Sequence, residues 1–278
     1  MILKYESSNG KTFDLKVSPL RARTADFHDY SWNPQVVNLQ YGDKVTRFDR
    51  KAATYKMKLD VSGTLPERRQ ALNRLHEAFD HDIWNQTPGR IIHGDYYING
   101  YVIVSKTGYN EPYTENEINI YCPDPFWIKE SVYQFKKWQP VPSVYLEFPY
   151  GYAYDYRSIE ASDTTLNVSG VLDADFKIKF YNFEHIFSIG VKIGGINRYV
   201  NIAPAVTDML EFDTATKTIY HYEEHDGEYE KINAFDKRGK GSVSVFTPIK
   251  PGLVPVIWDR SFDFDLTIYE RRSEPPWI

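Results

Sequence analysis

The stretch TIYHYEEHDGEYEKI, residues 218–232, decides how the second half of the chain is interpreted. His221 and His225 lie four residues apart with a glutamate beside the second, an order typical of one class of helical zinc peptidase. The surrounding residues alternate with a period of two, however, and Asp226-Gly227 then predicts a tight turn. Residues four apart in a strand are separated by roughly 13 Å, too far to share one ion. We therefore predict a solvent-exposed β-hairpin here and no metal site.

The same short period continues on both sides of this hairpin, from about residue 143 to residue 278. Runs such as DFKIKFYNF, FSIGVKI, MLEFD and FDFDLTIYE alternate and are separated by Gly, Asp and Asn at intervals of eight to twelve residues. Such spacing is typical of a β-sandwich. Pro140 and Pro142 indicate a linker, and we predict two domains, residues 1–138 and 139–278.

The first half combines strands with one helix. Thr64 followed by Glu67 is a capping box, so we predict a helix over 65–84, with Leu65, Leu72, Leu75, Phe79 and Ile83 on its apolar face. Residues 52–61 alternate as a half-buried strand, and 113–121 predict another. Asn9-Gly10 and Asn99-Gly100 each predict a hairpin turn. The fold class is therefore mainly β.

Composition excludes several classes of protein. The formal net charge is -5 over 278 residues, without a polybasic tract, so sequence-specific nucleic-acid binding is not expected. The single cysteine, Cys122, excludes an intrachain disulfide framework. No apolar run is long enough for a membrane span, and the N-terminal sequence lacks the pattern of a secretory signal. We expect a protein made in a cytoplasm, without membrane insertion.

No catalytic, cofactor-binding or metal-binding residues are predicted. Cys122 follows Ile118 and Ile120 at a strand end, which favours a small buried side chain over a nucleophile. His76, Asp80, His81 and Asp82 lie on the predicted helix, where His76 and Asp80 could meet one turn apart. No third metal ligand is evident, so we interpret these residues as an ordinary polar face. No pair of carboxylates and no glycine-rich phosphate loop stands out.

Two sets of residues are candidate contact surfaces. Tyr150, Tyr152, Tyr154 and Tyr156 have a period of two and share one face of a strand. They favour packing between domains or subunits, with an aromatic platform for sugar as the alternative. The arginines Arg68, Arg69 and Arg74 are consistent with a solvated helix face, or alternatively with pairing to carboxylates of a neighbouring subunit.

Three longer strings, in this order, resemble the distal tail protein (Dit) family of siphophages that infect Gram-positive bacteria. They are INIYCPDPFWIKE at 118–130, FPYGYAYDY at 148–156, and the C-terminal run from MLEFDTATKTIY through FTPIKPGLVPVIWD to LTIYERRSEPPWI. The likeness covers nearly the whole chain and preserves the order of elements. Arg271-Arg272 and Pro276-Trp277 close the last string.

The resemblance implies a concrete architecture and role. The N-terminal domain is then a small β-sandwich with one helix and a long hairpin that forms a hexameric ring, and the C-terminal domain is a galectin-like, jelly-roll β-sandwich. The ring is a hub in the virion, at the tail tip, and DNA leaves through its lumen. The implied partners are the tail tube protein, a tail-associated lysin or tail fibre, and a receptor-binding protein. Assembly takes place in the bacterial host cytoplasm, and isolated rings are expected to stack as dodecamers.

Two other function classes compete with the hub. A carbohydrate-binding protein that contacts host cell-surface glycans is the first alternative, with the Tyr150–Tyr156 face as its site. A glycan-cleaving enzyme is the second alternative. We predict a non-enzymatic structural protein without cofactors.

Overall fold

Alternation of apolar and polar side chains makes this chain mainly β, as predicted, because successive side chains of a strand point to opposite faces. The computed structural model describes residues 2–109, 113–137 and 164–277. The chain divides into two compact units: Met1–Lys129 with Arg271–Ile278 is unit 1, and Glu130–Glu270 is unit 2. The predicted border between residues 138 and 139 lies outside the described residues and stays a prediction.

The first half of the chain contains ten strands and the α-helix. In chain order they are β1 (Leu3–Glu6), β2 (Thr12–Asp14), β3 (Leu20–Ala25), β4 (Asn33–Asn38), β5 (Asp43–Asp49), β6 (Ala53–Val61), α1 (Leu65–Trp84), β7 (Gly89–His93), β8 (Tyr96–Tyr109), β9 (Thr114–Cys122) and β10 (Trp127–Phe135). Among the described residues, no helix is long and apolar enough to cross a membrane.

Strand β8 is shared by two sheets of unit 1. Its first half pairs with β7, in the order β2-β1-β7-β8. Its second half pairs with β9, which continues to β6 and β3. The predicted strand at 52–61 is confirmed as β6, and its alternate side chains join one core with α1. Buried members of this core include Tyr5, Phe27, Tyr55, Met57, Leu59, Val61, Leu75, Phe79, Ile98, Ile120 and Trp127.

The helix predicted over 65–84 is confirmed as α1, together with its capping box. The backbone N–H of Thr64 donates to the Glu67 carboxylate at 2.8 Å, and hydrogen bonding from Thr64 lowers the pKa of Glu67. Leu75 and Phe79 are buried as expected. Ile83 is largely exposed because the buried face continues through Asp82 instead.

The two predicted asparagine-glycine turns have different outcomes. The hairpin around Asn9-Gly10 is confirmed, with a longer turn in which the N–H of Ser7 donates to the Lys11 carbonyl. The turn at Asn99-Gly100 is wrong, because both residues lie inside β8. The β7–β8 turn is at Gly94, where φ is +62°.

A packing requirement explains the glycine inside β8. A Cβ at Gly100 would lie 2.8 Å from Cys122 Sγ and 2.8 Å from Ile120 Cγ2, both on β9. Glycine within a strand often indicates such a close approach rather than a turn. The local sequence pattern is the same in both cases, which is why the prediction failed here.

Unit 2 contains the remaining strands. They are β11 (Thr164–Val168), β12 (Asp175–Tyr181), β13 (Ile189–Ile193), β14 (Ile196–Val200), β15 (Met209–Asp213), β16 (Thr218–His225), β17 (Glu228–Asn233), β18 (Gly252–Ile257) and β19 (Asp263–Arg272), with a 3-10 turn at Phe235–Lys237. The end of β10 and most of β19 belong to this unit.

Two antiparallel sheets share the core of unit 2. One has the order β17-β16-β15-β12-β19-β10, and the other has the order β11-β18-β13-β14. Both contribute to a single cluster of buried side chains rich in phenylalanine. Phe212 and Phe246, for example, stack with ring centroids 5.0 Å apart. The predicted all-β second half is therefore confirmed, and its galectin-like character stays a prediction.

Candidate functional site

A two-stranded ribbon, β4 paired with β5, is the most exposed regular structure in unit 1. We call residues 33–49 the arm. Its register runs from Asn33 opposite Asp49 to Asn38 opposite Asp43, with an irregularity after Gln35. Every residue of the two strands is exposed except Asp49, and among the described residues neither strand pairs with a third.

The arm carries apolar side chains that its own unit does not cover. Tyr41 at the tip is 88% exposed and Phe48 near the base is 60% exposed. Val36, Val37, Leu39 and Val45 are exposed as well. An isolated two-stranded ribbon is marginally stable in water, and contiguous exposed apolar surface usually indicates an interaction site. The arm therefore has the properties of a segment that packs against another molecule.

One arginine anchors the base of the arm. The Arg50 guanidinium carbon lies 5.6 Å from the ring centroid of Tyr30, 5.8 Å from that of Trp32 and 5.1 Å from that of Phe126. Its Nη2 also donates to the Ser273 carbonyl at 2.9 Å. Guanidinium groups bind the faces of aromatic rings by cation–π attraction. These contacts fix where the arm leaves unit 1.

The C-terminal residues 271–277 pack against the same unit. Trp277 stacks on His28, with ring centroids 3.8 Å apart, and Arg271 Nη2 lies 3.3 Å from Asp124 Oδ2. Glu274 Oε2 lies 3.7 Å from His28 Nδ1. Residues at the two ends of the sequence thus complete one unit.

Sequence reasoning predicted β6, the strand that follows the arm, but missed the arm residues themselves. The available signal was Gly42-Asp43, a turn pair between two β-branched runs, and Gly42 adopts φ of +80°. Only the family resemblance predicted a long hairpin in this half.

The predicted arginine surface is not one continuous set of exposed side chains. Arg68 is buried, with Nη1 3.4 Å from Thr114 Oγ1, whereas Arg69 and Arg74 are exposed on α1. Their pairing with a neighbouring subunit stays a prediction. The predicted aromatic face, Tyr150, Tyr152, Tyr154 and Tyr156, lies outside the described residues.

The histidine pair that opens the sequence analysis lies on strand β16, as predicted. The Asp226-Gly227 turn is also confirmed, with both residues at positive φ. The expected solvent exposure is wrong for His221, which is buried with Nε2 2.9 Å from Asp208 Oδ2. Over the described ranges, no three His, Cys, Asp or Glu side chains are grouped to hold a metal ion.

Two further residues considered in the sequence analysis, Cys122 and Asp82, are buried inside unit 1. Cys122 is buried as predicted, and burial raises the pKa of its thiol to about 12. Asp82 is fully buried rather than part of a polar helix face, because strand β1 and its turn supply donors to it. Tyr5 donates to its Oδ2, and Ser7 Oγ donates to Oδ1 at 2.7 Å. The backbone N–H and hydroxyl of Ser8 donate to Oδ1 at 2.8 and 2.6 Å.

Solved structures with the same fold come from phage tails. The SPP1 Dit (gp 19.1) protein, described as a paradigm of the hub adsorption apparatus in Gram-positive-infecting phages, has 11% identity and a TM-score of 0.63. That match covers 98% of this chain and 100% of that one.

The phage P2 baseplate in its activated conformation gives similar values. The structure with Ca has a TM-score of 0.64 at 11% identity, covering 99% of this chain and 100% of its own. The structure with Sr has a TM-score of 0.64 at 12% identity, covering 99% of each. No protein-family model and no curated protein sequence matches this chain. The predicted resemblance is thus confirmed for the fold, which is Dit-like over nearly the whole chain.

Proposed function

We propose that this chain is a virion structural protein, a distal tail hub that forms a hexameric ring at the tail tip. The observation that carries the proposal is the exposed apolar arm on a chain with a Dit-like fold. A closed ring needs a heterologous interface, in which a projecting element of one subunit meets a different surface of the next. The arm supplies such an element.

The same proposal assigns the partners. The tail tube protein lies above the ring, and a tail-associated lysin, tail fibre or receptor-binding protein lies below it. DNA passes through the lumen. Six copies at a formal charge of -5 carry about -30, which repels phosphate on average. The protein acts by assembly and without catalysis. The carbohydrate-binding alternative depends on Tyr150–Tyr156, outside the described residues, and receives no separate support.

The test is the mass and shape of the purified full chain. Negative-stain electron microscopy combined with light scattering is expected to give six-fold rings and a mass near 195 kDa, six times 32.5 kDa. Stacked pairs of rings would have twice that mass. A strict monomer at high concentration contradicts a ring that forms by itself.

A matched pair of variants tests the arm specifically. Phe48→Ser removes an exposed aromatic side chain from the arm, and Phe187→Ser removes one that is 92% exposed in unit 2. Phe48→Ser is expected to reduce the ring fraction at a given concentration, whereas Phe187→Ser leaves it unchanged. Equal effects of the two variants would exclude the arm as the assembling element.

A further inference from the structure

The turn between β1 and β2 contains one of the two Asn-Gly pairs of the chain, Asn9-Gly10, and the other pair, Asn99-Gly100, lies inside β8. In such a pair the backbone nitrogen of the glycine can attack the side-chain amide of the asparagine, because glycine has no Cβ to obstruct the approach. The two pairs are covalently identical and differ only in their surroundings. Comparing them shows where the fold permits this reaction.

The first pair lies in an open, solvent-exposed turn. Asn9 and Gly10 are both exposed, Gly10 adopts φ of +81°, and a Cβ placed on it would meet no atom within 4 Å. The N–H of Gly10 donates to the Ser7 carbonyl at 2.9 Å, and this bond has to break before the nitrogen can react. Donor and acceptor belong to the same turn, so local opening breaks the bond without opening the sheet.

A backbone donor already points at the side-chain oxygen that the reaction charges. The N–H of Lys11 donates to Asn9 Oδ1 at 3.0 Å. When the Gly10 nitrogen bonds to Asn9 Cγ, negative charge develops on this oxygen, and a donor aimed at it stabilises that charge. The same hydrogen bond restricts the rotation of the Asn9 side chain, so less freedom is lost on reaching the reactive geometry.

The second pair is enclosed by the sheets of unit 1. Gly100 is buried and lies opposite Gly89 of β7, and the residue after it lies opposite Tyr121 of β9. A Cβ at Gly100 would lie only 2.8 Å from Cys122 Sγ. Attack on the Asn99 side chain requires the intervening peptide to rotate, and that rotation requires the strands to separate. Core strands open only at a free energy close to that of global unfolding.

We propose that Asn9 is a site of spontaneous deamidation in the folded protein, with water as the co-reactant. The Gly10 nitrogen loses its proton to hydroxide and bonds to Asn9 Cγ, the Cγ–Nδ2 bond breaks, and Nδ2 leaves as ammonia with a proton from solvent. The product is a cyclic imide. Water then opens this ring at either of its two C–N bonds, which gives aspartate or isoaspartate. The inference goes beyond the proposed hub function and does not depend on it.

The two products affect unit 1 differently. In isoaspartate the main chain passes through the side-chain carbons of position 9, so the backbone lengthens directly after Ser8. The N–H and hydroxyl of Ser8 donate to the buried Asp82 carboxylate at 2.8 and 2.6 Å, and the longer backbone displaces these donors. Aspartate leaves the backbone unchanged and retains an oxygen for the Lys11 N–H. Isoaspartate therefore weakens the attachment of the turn to α1, whereas aspartate does not.

The experiment incubates the native full chain at pH 8 and at pH 6, digests it with trypsin and measures the mass of peptides 5–11 and 91–106. At pH 8 peptide 5–11 is expected to exchange its amide for an acid at least about tenfold faster than peptide 91–106, because the exposed turn opens more readily than the core strand. The reaction slows at pH 6, since the attacking nitrogen has to lose its proton. In urea that unfolds the chain, the two peptides are expected to react at comparable rates.

Two variants complete the test. Asn9→Gln retains an amide on a longer side chain that would have to close a larger ring, so peptide 5–11 is expected to keep its mass. Electron-transfer fragmentation identifies isoaspartate in the aged chain, which should unfold at lower urea than Asn9→Asp, whereas Asn9→Asp should match the fresh wild type. An unmodified peptide 5–11 in the native chain, or equal native rates for the two peptides, overturns the proposal.

Discussion

The buried carboxylate of Asp82 allows a quantitative test of how unit 1 is held together. It is fully buried near the end of α1 and accepts four hydrogen bonds, from Tyr5, from Ser7 and twice from Ser8. These contacts join residues at least 74 positions apart in sequence. The perturbation is a double-mutant cycle of Tyr5→Phe and Asp82→Asn.

The expected loss in the free energy of unfolding depends on which hydrogen bonds to residue 82 remain after each substitution. Tyr5→Phe removes one hydrogen bond to a charged acceptor and leaves three, so we expect a loss of about 1.5–3 kcal/mol in the free energy of unfolding. Asp82→Asn replaces the acceptor of all four donors, and we expect a loss of about 3–5 kcal/mol. Because the two groups share one bond, their losses should fall short of additive by about 1–2 kcal/mol.

The assay is urea unfolding followed by tryptophan fluorescence. Four of the six tryptophans, Trp32, Trp84, Trp127 and Trp277, belong to unit 1, so the signal reports mainly on that unit. Ser8→Ala is the partial control, because the backbone N–H of Ser8 still reaches Asp82. Strictly additive losses for Tyr5→Phe and Asp82→Asn would refute the shared hydrogen bond.

Alkaline pH gives an independent check on the same pair. Burial and the Asp82 carboxylate raise the pKa of Tyr5 well above its usual value of about 10. The unfolded chain therefore releases this proton first. The stability contribution is complete below about pH 10 and is lost as pH rises beyond it, by about 1.4 kcal/mol per unit. The difference between wild type and Tyr5→Phe should shrink above pH 10. A constant difference would show that Tyr5 ionises equally in both states.

Two further substitutions and one chemical modification have defined expected outcomes. Gly100→Ala should destabilise unit 1 by about 1–3 kcal/mol in urea unfolding, because its Cβ has no room beside Cys122. Arg198→Lys should destabilise unit 2, measured by hydrogen exchange, by about 2 kcal/mol, because a lysine cannot span the carbonyls of Ile193 and Thr247 as the buried guanidinium does. An unchanged exchange rate would contradict that role. The Cys122 thiol should resist iodoacetamide at pH 8 until unit 1 unfolds, because burial raises its pKa to about 12. Rapid labelling of the native chain would show that the thiol is accessible.

Local sequence signals predicted the elements whose structure is determined locally. Thr64 and Glu67 satisfy the first turn of α1 by themselves, and the alternation from Tyr55 to Val61 matches a strand with one buried face. Asp226-Gly227 likewise forms its turn through backbone preferences alone. In each case the residues that carry the signal also make the decisive contacts.

The sequence predictions failed where residues far away in the sequence determine the environment of a side chain. Asp82 looks like a polar helix residue until β1 supplies its donors, and His221 looks exposed until Asp208 reaches it. The turn wrongly predicted at Gly100 and the missed exposure of the arm have the same cause. Neither the packing between neighbouring strands nor the solvent exposure of a strand can be read from a short stretch of sequence.

The hydrogen bond between Arg50 and Ser273 joins residues 223 positions apart. At translation rates of roughly 5–20 residues per second, about 10–45 seconds separate the synthesis of these two residues. Once Phe126 has been made, about a third of the way through that interval, the arm base has its three aromatic rings but not its last anchor. Completion of unit 1 by its late residues therefore delays the finished arm base until all of unit 2 has been synthesised.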